Sequence, residues 1–417
     1  MSAVPCLVVP PLCRRLLATA CLLSIVGTGA PASADDRMLV PRRSFERLVT
    51  SNGHLVASYD RVSRRVDTLL EHPYRFAQPR LPDDDRCFGA DETRDLAFDL
   101  YFGVRSTSGG VARGEWLAEL PLDGTEVEHG TNVLVARQHA GAGRALAVET
   151  RVLAPYTLDA PVLLMTLSVE NASDAPVEVA PYFLANLHLG AAEGRREPSA
   201  AREQVVWDDA RRAFYEYSDD SRGTAAYVPL SPIQHVTAST GAAGAYESLR
   251  ALRDLDGVGG TSGPTDDVAP GLQGATVTLA PGARTAMAVA IVWALDEDAG
   301  PKVDAVRTWA GARGVDELLA REREAWAAWH AEGTAPPELH DETALLRQGQ
   351  VREPGPGFGQ ILASLPPGLG NVEATWNIAW VRDMAYATAA LARTGHLREA
   401  RDALRFQVEA PRGLYED

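Results

Sequence analysis

Leu163-Leu164-Met165-Thr166-Leu167-Ser168-Val169-Glu170 sets the fold class of this chain. Leu163, Met165, Leu167 and Val169 alternate with Leu164, Thr166, Ser168 and Glu170, the two-residue period of a strand with one face buried. Asn171-Ala-Ser-Asp-Ala-Pro176 is dense in turn formers, so Val177 to Leu184 is expected to return as the partner strand. The same period recurs in Leu146-Ala-Val-Glu-Thr-Arg-Val152. Ala275 to Leu279, Pro281-Gly282 and Ala286 to Leu295 read as strand, turn and strand. From about Met38 to Leu295 the reading is therefore β, and so many alternating strands predict a large antiparallel sandwich.

From about Val303 the period becomes helical. Leu318, Leu319, Glu322, Trp326 and Trp329 share one face of a helix predicted from Val315 to Ala331, which would dock on its neighbours as a linker. Gly333 to Pro337 interrupts, and helix resumes from Glu338 to about Gly349. Met384 to Arg393 predicts another, ended by Thr394-Gly395 with glycine in the usual C-terminal place, and Leu397 to Phe406 one more.

The chain has 417 residues, enough for two domains with real cores. A formal charge of −16 disfavours nucleic acid and anionic lipid as partners but is neutral toward a glycan. Residues 1–34 read as an export signal, with Arg14-Arg15 before an apolar run from Leu16 to about Val26 and a small-residue cleavage site at Ala32-Ser33-Ala34. That run falls short of the roughly 20 apolar residues a membrane span needs. Export to the periplasm or beyond is expected, with no membrane attachment after cleavage. Beyond the leader only Cys87 remains, which leaves no internal disulfide. Asp83-Asp84-Asp85 and Asp266-Asp267 lack the ligand spacing of a calcium loop and read as solvated turns. The stretch from Asp254 to Asp267 reads as a surface loop without core-forming power, and Asn171-Ala-Ser173 matches a glycosylation sequon.

Trp376-Asn-Ile-Ala-Trp380-Val-Arg382-Asp383-Met-Ala-Tyr386 sets two indoles, a guanidinium and a carboxylate at a predicted helix start. Such a set suits a polyhydroxylated ring: indole faces cover C–H patches while Arg and Asp donate to and accept from hydroxyls. A structural reading also stands, in which Asp383 caps the helix, Arg382 pairs with it and the tryptophans are core. The run from Gln350-Val-Arg-Glu-Pro-Gly-Pro-Gly-Phe-Gly-Gln to Leu-Pro-Pro-Gly, then this motif, then Ala385 to His396, resembles the start of the catalytic barrel in family 15 glycoside hydrolases. These are the glucoamylase-like enzymes of six-hairpin fold.

The resemblance implies a β-sandwich, a helical linker and an (α/α)6 barrel, with boundaries at 35–300, 301–337 and 338–417. It implies that Trp380 walls the subsite for the non-reducing glucose, with Trp376 beside it, and that Arg382 and Asp383 bind sugar hydroxyls. Where family members often carry tyrosine, four residues before the motif's tryptophan, this chain has Trp376. The barrel of the family has about twelve helices, and this chain supplies about three. The general acid and base of an inverting hydrolase, two carboxyls roughly 6.5–9.5 Å apart, are therefore expected beyond Asp417. Asp383, placed directly beside Arg382, reads as its ion-pair partner rather than as the general acid. Glu353 lies in a Pro-Gly loop without the apolar pocket that such an acid needs. The expected activity of the full enzyme is release of glucose from an α-glucan or oligosaccharide, with no organic cofactor and no metal. A trehalase or dextran-acting relative, and a non-catalytic glycan-binding or scaffold fragment, are the alternatives.

Overall fold

The computed structural model describes residues 47–74, 95–187, 189, 203–218, 223–260, 268–295, 297–365 and 379–409. The chain divides into two compact units, Met1–Phe45 and Glu46–Asp417, and all described residues lie in the second. The leader, Asp83-Asp84-Asp85, Cys87, Asp266-Asp267 and Trp376 fall outside them.

The chain weaves between two antiparallel sheets. β1 (Arg47–Ser51), β2 (Val56–Asp60), β3 (Arg65–Leu70), β4 (Ala97–Ser108) and β5 (Val111–Trp116) begin the first sheet. β6 (Leu122–Val127), β7 (Leu134–Ala140), β8 (Leu146–Leu153) and β9 (Val162–Asn171) follow as a meander in the second. β10 (Val177–Leu187) crosses back to the first. β11 (Glu203–Asp208), β12 (Ala213–Ser218) and β13 (Gly223–Pro229) then extend the second. β14 (Ile233–Thr237), β15 (Gly271–Gly274) and β16 (Val277–Leu279) complete the first, and β17 (Arg284–Leu295) ends in the second. The second sheet runs β11-β12-β13-β17-β9-β8-β7-β6, and the first is centred on β4 and β10.

The strand period maps onto this packing directly. Leu163, Met165, Leu167 and Val169 of β9 enter the core between the sheets, beside Phe102, Val104 and Phe183 from the first sheet. Leu164 turns to the other face. Burying each such side chain contributes about 1.5–3 kcal/mol relative to leaving it exposed.

The expected partner of β9 is wrong. β10 does not pair with β9: it lies in the opposite sheet between β4 and β15, while β9 is flanked by β8 and β17. Asn171-to-Pro176 is thus an arch between sheets. Its pivot is Asn171, buried, whose Nδ2 donates to Ala175 O (2.8 Å) and Leu279 O (2.9 Å). The same holds for β16 and β17, which straddle the two sheets across Pro281-Gly282. An Asn171 committed in this way is a structural amide in the fold, and the sequon match has no exposed acceptor behind it.

The segment after Asp254 also departs from expectation. Leu255 is buried against Tyr101, Trp116 and Leu249, and Asp256 accepts from Thr237 Oγ1 and Ser239 Oγ at 2.6 Å each. A short helix, α1 (Ala245–Arg250), covers the outer face of the first sheet here.

Helices cover the outer face of the second sheet. α2 (Gly300–Ala310) sets Val303 and Val306 on Val162, Ala290 and Val292. α3 (Val315–Glu332) sets Leu318 and Leu319 on Val133, Leu153 and Leu164. Covered on both faces, β9 and β17 are apolar nearly throughout, as buried strands must be. α4 (His340–Gln348), α5 (Val381–Arg393) and α6 (Leu397–Glu409) form a helical cluster with the end of α3, in which Trp326, Trp329, Met384, Leu391 and Ala403 are buried. α5 ends in a Schellman turn: Gly395 has φ +84°, its N–H donates to Ala392 O, and His396 N–H donates to Leu391 O. The fold is thus a large antiparallel β-sandwich followed by helices. Among the described residues, no helix is long and apolar enough to cross a membrane.

Candidate functional site

α5 begins three residues before the predicted start, which relocates the motif. Trp380 occupies the N-cap position and Asp383 lies inside the first turn, so the carboxylate does not cap the helix. It still favours the helix by lying near the positive end of the dipole. Trp380 is 40% exposed, and the side chains of Arg382 and Asp383 are 82% and 38% exposed. Arg382 Nε lies 3.3 Å from Asp383 Oδ1. Indole, guanidinium and carboxylate therefore stand together at one solvent-facing helix end, and Trp380 is not core. Trp376 lies outside the described residues.

Beside the motif runs a face with little cover. Val381 and Tyr386 on α5, and Leu397, Leu404 and Val408 on α6, are all exposed, while the opposite faces pack into the helical cluster. The stripe Leu397, Leu404, Val408 has helical spacing, which marks a face built to be buried.

Glu353 is placed by a different set of contacts. Its carboxylate faces His72 Nδ1 at 3.0 Å, and its N–H, with that of Arg352, donates to Gly53 O. Gly53 sits at φ +79°, and a Cβ there would lie 2.4 Å from Gln350 O. The sandwich thus fixes the start of the Pro-Gly loop through backbone that only glycine allows.

A cleft of about 150 Å³ opens at this seam between sandwich and helices. Arg347, Arg352, Phe358, Arg398, Glu399 and Asp402 line it, together with Asp159 from the loop after β8. Asp159 Oδ1 accepts from Arg352 Nη2 at 2.8 Å and lies 2.7 Å from His54 Nε2. The Arg347 guanidinium is packed against Tyr156, Trp329 and Trp326, at 4.2, 4.6 and 4.9 Å from their ring centres. None of Trp380, Arg382 and Asp383 lines this cleft. Sequence reading missed it because its residues come from positions 159, 347–358 and 398–402. The one signal was the Gln350-to-Gly359 loop, which it absorbed into the motif's context. Among the described residues, no group of three or more His, Cys, Asp or Glu could hold a metal ion.

No protein-family model and no curated protein matches this chain. Solved structures do. A bacterial glucoamylase complexed with acarbose matches with a TM-score of 0.55 at 10% identity, covering 86% of this chain and 48% of that one. A protein described as a kojibiose phosphorylase from the human microbiome matches with a TM-score of 0.53 at 10% identity, covering 88% and 46%. The chain therefore spans about half the length of either structure. At such identity the likeness shows the fold alone: the sandwich followed by helices is an architecture found in glucoamylase.

Proposed function

We propose that this chain is the N-terminal portion of an exported glucoamylase-like glycoside hydrolase. The full enzyme would release glucose from non-reducing ends of α-glucosides with inversion. In this reading the sandwich spans residues 35–300, a linker 301–337 and the opening of an (α/α)6 barrel 338–417. The observation that carries it is Trp380, Arg382 and Asp383 grouped at the open end of α5, within a fold shared with glucoamylase. Trp380, with Trp376, packs on the terminal glucose, and Arg382 and Asp383 bind its hydroxyls. The exposed stripe on α5 and α6 supports further helices as its cover, and the general acid and base would lie among them.

The likeness to the kojibiose phosphorylase favours one second reading, in which phosphate replaces water as the attacking group. Both are tested in a protein that carries this chain and the rest of its barrel. Maltotriose is supplied with and without phosphate, and products are followed by NMR. Free β-glucose independent of phosphate supports hydrolysis, whereas phosphate-dependent sugar phosphate supports the second reading. Asp383→Ala should lower turnover by about 10²-fold or more with the fold intact. Near-normal turnover in that variant removes Asp383 from the site.

A further inference from the structure

We propose that the cleft between sandwich and helices is a second binding site, for a neutral polyhydroxylated molecule the size of one sugar ring. Its volume of about 150 Å³ is half the lower bound of usual ligand pockets, roughly 300 Å³, so it suits a single ring rather than an enclosed oligosaccharide. Three guanidinium groups (Arg347, Arg352, Arg398) share it with three carboxylates (Asp159, Glu399, Asp402). Their formal charges cancel, which removes the advantage of an anion or a cation. A sugar hydroxyl both donates and accepts, so neighbouring hydroxyls can meet both kinds of group. Phe358, 41% exposed, gives the cleft an apolar ring for the C–H face of such a molecule.

Arg347 carries the argument furthest. Its guanidinium is held by Tyr156, Trp326 and Trp329, so it cannot swing out to solvent without leaving its aromatic contacts. Its Nη1 is buried and has no hydrogen-bond acceptor among the described residues. The side chain lines the cleft, so a guanidinium already fixed by its rings offers a pre-ordered donor to a bound hydroxyl. Gln350 is spent on the protein itself, its Nε2 donating to Glu399 O at 2.8 Å, which keeps the wall rigid.

This site is separate from the Trp380 motif. Arg398 and Glu399 stand at the start of α6, beside the C-terminal end of α5, whose 13 residues span about 20 Å from the motif. The inference does not rest on hydrolysis, so either reading can fail alone.

The test is titration of the 417-residue chain with D-glucose, with inorganic phosphate as the contrasting probe, followed by ligand-observed NMR. Glucose should bind with Kd in the millimolar range. Phe358→Ala and Asp402→Asn, both on partly exposed positions, should each weaken it about tenfold, while Val111→Ala, exposed on β5 and outside the cleft lining, leaves it unchanged. Circular dichroism and unfolding midpoints establish that each variant is folded. No glucose response from folded protein overturns the proposal. So does binding lost in Trp380→Ala but kept in Phe358→Ala, and so does phosphate binding tighter than glucose, which would make the cleft an anion site.

Discussion

The carboxylate of Glu322, buried on α3, accepts a hydrogen bond from the backbone N–H of Tyr156 at 2.6 Å. It also accepts from Thr157 N–H at 3.2 Å and Thr157 Oγ1 at 2.9 Å, so one side chain satisfies the loop that leaves β8. This contact joins the sandwich to the helices.

Replacing Glu322 with alanine would leave the buried Tyr156 N–H without an acceptor. The expected loss is about 3 kcal/mol, measured as a shift in the urea midpoint. Glu322→Gln should cost less, because its carbonyl still accepts from Tyr156. Equal stability of the wild type and the alanine variant would show that the contact contributes nothing.

Stability should fall as pH is lowered from neutrality. His54, His330 and His396 are all held below the ordinary imidazole value of 6.5, chiefly because burial penalises the charged form. The unfolded chain then binds more protons than the fold, so this stability is complete above pH 6.5 and is lost as pH drops through the folded values. Glu322 opposes the trend: burial raises its carboxyl, so its contribution is complete below 4.5 and declines as pH rises through its folded value. Thermal midpoints at pH 7 and pH 5.5 should differ by a few degrees, of order 1 kcal/mol. His396→Phe retains a ring to stack on Trp329, 3.6 Å away in the native pair, and should flatten the slope. A profile of unchanged steepness in that variant would exclude His396 as a contributor.

Gly53→Ala should loosen the loop that begins at Gln350. The new Cβ meets Gln350 O and Arg352 N, and the residue would have to hold φ +79°. We expect a loss of about 2–4 kcal/mol and faster amide exchange at Arg352 and Glu353, whose N–H groups donate to Gly53 O. Exchange rates equal to the wild type would mean that the loop is held by other contacts.

How much was legible depended on distance along the chain. Trp380, Arg382 and Asp383 lie within one turn, so their proximity followed from sequence once a helix start was placed there. The α3 face was legible for the same reason, although why it carries Glu322 among apolar residues was not. That answer required Tyr156 and Thr157, more than 160 positions away. The cleft was equally hidden, since its walls come from the loop after β8, the end of α4 and the first turns of α6.

The sequence alone determined the strand period of β8 and β9, the β-to-helix change near residue 300 and the apolar face of α3, because a period of two or 3.6 is a local property, whereas helix α1 inside the β region was not legible. Tertiary structure decided which strands pair. β9 and β10 are apolar on both faces, so each could accept several neighbours, and a turn-forming stretch between them serves a hairpin or an arch equally well. Only the assembled sheets, with β8 and β17 already on both edges of β9 and Asn171 bonded across the gap, select the arch.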